Sequence, residues 1–128
     1  MSKRADIEFL ADSKEAILRI NAYVGDLSYE RFLEDKKTQD AVVRNLEVIG
    51  ETAKNISEEL KDKYPQIRWK DLAGVRDKLI HHYFGVNFDI VWNIVKEELP
   101  EIIPRREWLS RMLKWLKFAR SEKFYIIC

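Results

Sequence analysis

The residues best suited to chemistry sit in one run, Arg76-Asp77-Lys78-Leu79-Ile80-His81-His82-Tyr83-Phe84-Gly85, which holds both histidines of the chain. Arginine offers a fixed positive fork for phosphate or carboxylate. Histidine can take and return a proton near neutral pH. Arg76 and Tyr83 share one face of an ideal helix, because seven steps of about 100° return the direction to within about 20°. His81 lies about 140° round from Arg76 on the same helix. One straight helix therefore cannot aim both at a small target. Either the helix ends or distorts near His81, for which Gly85 is the expected stop, or a second copy completes the site by symmetry.

Each residue also has a plain structural reading. Arg76 can pair with a glutamate on a neighbouring helix, the more common fate of a lone arginine. His81 fits a helix C-terminus, where the macrodipole favours a cation. His82 continues the apolar stripe Leu72, Val75, Leu79 and is expected to pack. Asp77 can orient a histidine or the arginine, or pair with Lys78 or Arg105. Tyr83 can donate to phosphate or pack with a wet hydroxyl. Nothing in the spacing holds a metal: adjacent histidines point apart on a helix, and no cysteine pair exists. No cofactor motif, glycine-rich phosphate loop or serine nucleophile elbow occurs.

The elements that position this run read as helices. Asp6 to about Val24 carries Ile7, Leu10, Ile17 and Leu18 near helical spacing, and Gly25 stops it. Ser28 to Leu33 reads as a short helix or turn capped by Ser28. Val42, Leu46, Ile49, Ala53, Ile56 and Leu60 make a seam of about 3.5 residues, predicting one helix over 37–63 ended by Pro65. A helix over 69–84 carries the focal run. Another spans 89–99, capped by Asp89 or Asn87, before a break at Pro100 and Pro104. A last helix over 105–119 buries Trp108, Met112, Trp115 and Leu116. The tail 124–128 has the composition of a strand.

With 128 residues, 46% apolar and 35% charged, the chain predicts a single all-α domain over 1–128, residues 120–128 forming a tail. The expected architecture is an up-and-down bundle of four long helices plus one or two short ones. A net charge of +1 excludes a general polyanion binder, so a nucleic-acid site must be local. Between Arg105 and Lys123, seven basic residues face two acids, with Trp108 and Trp115 interleaved. A solvated helix face is the default reading there. The lone cysteine, Cys128, permits no internal disulfide, and no signal or membrane-length run is apparent, which points to the cytoplasm.

The spacing Arg76-(four residues)-His81-(one residue)-Tyr83 resembles the R-x4-H-x-Y motif of HepT-like toxins, a branch of the HEPN superfamily. Leu46-Glu47-Val48-Ile49-Gly50-Glu51-Thr52-Ala53-Lys54-Asn55 is similar to that branch's second long helix. Lys63-Tyr64-Pro65, Trp69, Leu72-Ala73-Gly74, Tyr83-Phe84-Gly85, Val91-Trp92 and Leu99-Pro100 follow in family order. The likeness covers roughly residues 5 to 118.

The resemblance implies a dimer with both motif helices lining a shared cleft, and a metal-independent endoribonuclease acting as the toxin of a two-gene system. Arg76 would hold the scissile phosphate and His81 would serve as general base or acid, with Asp77 as a support. Tyr83 would accept AMP from a minimal nucleotidyltransferase antitoxin. His82 stands where relatives often carry a small residue. The wider superfamily allows four to six residues between Arg and His, so His82 is the alternative catalytic histidine, while Tyr83 sets the register for His81. The alternative function is a non-catalytic helical homodimer that binds nucleotide or docks a nucleotidyltransferase. Association beyond a dimer is left open by the sequence.

Overall fold

The computed structural model describes residues 3–80, 87–104 and 107–127. Every regular element among them is helical: α1 (Lys3–Val24), α2 (Tyr29–Glu34), α3 (Lys36–Asn55), α4 (Glu58–Lys63), α5 (Trp69–Ile80), α6 (Phe88–Asn93), a π-helical turn (Ile94–Glu98), α7 (Leu99–Ile102) and α8 (Glu107–Ile127). The all-α bundle expected from the sequence is the architecture found. α3 lies at its centre, packed on α1 and α5, while α1 also packs on α8.

The caps follow from side-chain chemistry. Ser28 accepts from the Arg31 amide at the start of α2, and Asp35 accepts from the Thr38 amide (3.0 Å) and hydroxyl (2.7 Å) at the start of α3. Those Thr38 hydrogen bonds hold the Asp35 carboxyl below the ordinary aspartate range. Asn87, rather than Asp89, caps α6.

The seam Val42, Leu46, Ile49, Ala53, Ile56, Leu60 is buried at every position, but the single helix expected over 37–63 is two. Ile56 and Ser57 adopt extended backbone between α3 and α4. Ser57 caps α4 by accepting from the Leu60 amide. Its own amide (2.9 Å) and hydroxyl (2.5 Å) donate to Asp6 of α1, a buried carboxylate. The apolar repeat survives the break because Ile56 and Leu60 still face the core.

Three other expectations change. Pro100 does not end its helix. The wide turn over Ile94–Glu98, in which the Leu99 amide bonds the Ile94 carbonyl, carries the chain through the proline to Ile102. The tail is helical, since α8 extends to Ile127 with no Gly or Pro to stop it, and adding residues to a helix is easier than nucleating a strand. Leu18 is exposed rather than core. Met112 and Leu116 are buried as expected and Trp115 is half-buried; the Trp108 side chain and the continuation of α5 to Phe84 lie outside the described residues. Among the described residues no helix is long and apolar enough to cross a membrane.

Candidate functional site

α5 buries Leu72, Val75 and Leu79 and turns Arg76, Asp77 and Lys78 outward. These three consecutive side chains are each tied to another element. Arg76 Nη1 meets Glu51 Oε2 of α3 at 3.4 Å. Asp77 Oδ1 meets Lys54 Nζ of α3 at 3.5 Å. Lys78 pairs with Glu98 in the π-helical turn, and Glu98 also accepts from Asn93 (3.1 Å). Asp77 therefore pairs with Lys54 rather than with Lys78, and the expected pairing with Arg105 falls on a residue outside the described ones. The pairing of Arg76 with a glutamate is the plain reading of that arginine, and it coexists with access: the side chain is 42% exposed.

Gly50 explains how α5 comes so close at this point. A Cβ built there would sit 2.8 Å from Arg76 Cβ and 3.0 Å from the Arg76 backbone nitrogen. No side chain fits that gap, so glycine is required by close approach rather than by backbone conformation. Two successive residues of α3 thus address one residue of α5. Gly50 sets the distance of its backbone, and Glu51 sets the direction of its guanidinium. The sequence offered a signal, a glycine inside a strongly periodic helix, but not the partner it makes room for.

Arg76 forms part of the wall of an open cleft of about 430 Å³ between α1, α3 and α5, lined by Phe9, Asp12, Arg44, Glu47, Val48, Glu51, Thr52 and Arg76. Beneath it the buried Thr52 hydroxyl donates to the Ile49 carbonyl (3.0 Å) and shares a hydrogen bond with Ser13. Among the described residues no three Asp, Glu, His or Cys side chains converge as a metal site needs. On α8, Arg111, Lys114 and Lys117 are exposed, but Trp115 is covered by Lys63, whose Nζ lies 4.4 Å from the ring centroid. That tryptophan is not an open stacking platform. His81, His82 and Tyr83 lie outside the described residues.

Residues 13–107 match the ribonuclease HepT-like family model. The chain belongs to that family, and with it to the ribonucleases of the HEPN superfamily. It is 49% identical over 107 residues to a candidate RNase of Methanocaldococcus jannaschii, covering 84% of this chain and 88% of that one. It is 45% identical over 109 residues to the probable ribonuclease HepT of Thermococcus cleftensis, covering 85% and 99%. A second candidate RNase of M. jannaschii is 48% identical over 102 residues, covering 80% and 84%. No solved structure matches the chain significantly.

Proposed function

We propose that this ribonuclease is a metal-independent endoribonuclease and the toxin half of a toxin–antitoxin system, working as a single-domain homodimer in the cytoplasm. Arg76 binds the scissile phosphate and stabilises the charge that builds on it. His81 acts as general base or acid while the ribose 2′-hydroxyl attacks the phosphorus and the 5′-oxygen leaves, giving a cyclic phosphate end. Asp77, anchored on Lys54, supports the motif helix. His82 is the alternative proton carrier. Pairing two motif helices across the dimer answers the 140° separation of Arg76 and His81.

The observation that carries this reading is Arg76 itself. It is a cation in the wall of an open cleft, held by one exposed carboxylate at 3.4 Å, five positions before His81. An exposed pair of that length is worth little in stability, so a phosphate can displace Glu51 at small cost. An arginine buried in a bidentate hydrogen-bonded pair with its partner could not make that exchange.

In the same proposal, a minimal nucleotidyltransferase neutralises the toxin by moving AMP from ATP to the Tyr83 hydroxyl, with pyrophosphate leaving. The added anion beside Arg76 and His81 would compete for the arginine and exclude RNA. Intact mass after incubation with the transferase and ATP tests the switch. Gain of one or more AMP units, absent in Tyr83→Phe, supports it; no gain removes the modification and leaves the nuclease to be judged by cleavage alone.

A further inference from the structure

The cleft beside Arg76 has a charge pattern that phosphate binding does not use. Two arginines stand against three carboxylates, so the cleft is formally one negative. A groove that tracks a nucleic-acid backbone is uniformly basic; this one alternates. Of its charges, only Arg76 and Glu51 pair with each other. Arg44, Asp12 and Glu47 make no ion pair or side-chain hydrogen bond with any described residue. Glu47 is half-buried, and its two carboxylate oxygens are left to accept from a ligand. Arg44, Glu47, Val48, Glu51 and Thr52 recur at helical spacing, so they form one stripe of α3 about 12 Å long. Phe9, also half-buried, supplies an apolar surface from α1. The volume, about 430 Å³, lies in the range of small-ligand sites.

We propose that this cleft is a base-reading subsite for the nucleotide next to the phosphate held by Arg76, and that it selects guanine. The proposal rests on the function given above. An unpaired base needs an apolar wall and partners for its Watson–Crick edge. Phe9 and Val48 give the wall. Guanine presents two adjacent donors, N1–H and the N2 amine, which match the two oxygens of Glu47 as an arginine fork would. Uracil presents one donor between two acceptors and leaves a carboxylate oxygen facing an acceptor. Asp12 takes a further donor, and Arg44 takes the neighbouring phosphate.

The test is an NMR titration of the full chain with GMP, IMP, UMP and inorganic phosphate, following Phe9 ring and Val48 methyl signals, in the wild type and in Glu47→Gln checked by thermal melt. Losing a hydrogen bond to a charged group costs roughly tenfold or more in affinity. GMP is therefore expected to shift both signals at roughly tenfold lower concentration than UMP. IMP, which lacks the N2 amine, falls between them, and phosphate alone leaves Phe9 unmoved. Glu47→Gln brings GMP down to the level of UMP. Equal response to GMP and UMP, an unchanged ratio in Glu47→Gln, or no response at Phe9 and Val48 overturns the subsite. Signals that answer only to protein concentration also overturn it, and make the face a contact between copies. The two readings fail separately. A chain that binds GMP here but cleaves no RNA loses the nuclease mechanism and keeps the subsite; one that cleaves RNA without base preference loses only the subsite.

Discussion

Two of the side-chain links that distant parts of the chain make in and just past the last turns of α3 differ in kind. Asp6 of α1, a residue only 4% exposed, accepts hydrogen bonds from the amide (2.9 Å) and hydroxyl (2.5 Å) of Ser57, two residues past the C-terminal end of α3. Four residues inside the helix end, Glu51 meets Arg76 through a single 3.4 Å contact between exposed groups. The first link is matched at both carboxylate oxygens and its acceptor is withdrawn from water. The second is wet and long, and any anion can compete for it. A buried polar link hides its partners from competitors, whereas an exposed one leaves them reachable. The same contrast separates the buried face of α5, Leu72, Val75 and Leu79, from the row Arg76, Asp77 and Lys78 on its other side.

Gly50→Ala attacks both properties at once and should have the largest effect. The new methyl must push α5 away, since it would lie 2.8 Å from Arg76 Cβ. Overpacking of this kind costs about 1–3 kcal/mol. Chemical denaturation should show that loss, and cleavage per folded molecule should fall as well, because the displaced residue is Arg76. A variant that is destabilised yet fully active would show that the close approach serves packing alone.

Asp6→Ala strikes only the buried link. It leaves the Ser57 amide without its partner, at a cost of about 1–3 kcal/mol, while RNA cleavage per folded molecule should stay at the wild-type level. Reduced cleavage in this variant would erase the distinction between the two links. Glu51→Gln strikes only the exposed link. Stability should move by less than about 1 kcal/mol, as for exposed ion pairs generally, but cleavage should fall because the guanidinium loses its guide. A rise in cleavage would instead make Glu51 a blocker of Arg76.

Asp35→Asn should have the smallest effect and one seen only through pH. The carboxyl is held below the ordinary aspartate value by Thr38, so the folded state binds its proton less readily than the unfolded state. Its contribution is complete above the unfolded value, about pH 4, and is lost as pH falls through the lower folded value. Melting temperature followed downward from neutral pH should therefore fall less steeply for Asp35→Asn than for the wild type. Parallel curves would mean that the cap contributes nothing through its charge.

Much of this was legible because it is local. Heptad-like spacing located the core of α3, and Gly25, Pro65 and Ser28 marked their boundaries. The R-x4-H-x-Y spacing singled out Arg76 without any coordinates. What escaped depends on distant partners. Ser57 breaks a helix that periodicity would continue, because its amide and hydroxyl bond Asp6, 51 residues earlier. Gly50 looks like a weak point in a helix until Arg76 is placed against it. Pro100 reads as a stop, but it follows a π-helical turn and falls in the first turn of α7, where a proline is tolerated. The tail misled for another reason: Phe, Tyr and Ile favour strands only weakly, and an adjoining long helix outweighs them.

Whether Arg76 acts on phosphate is read by cleavage of RNA in EDTA. The wild-type chain should cut RNA with the metal chelated and leave cyclic phosphate ends. Arg76→Ala, with an unchanged melting temperature, should lower the rate roughly 10²–10³-fold, the usual loss when one stabilising group is removed from a developing anion. A wild-type chain that cuts only with divalent metal, or an Arg76→Ala chain that cuts as fast as the wild type, would contradict the account.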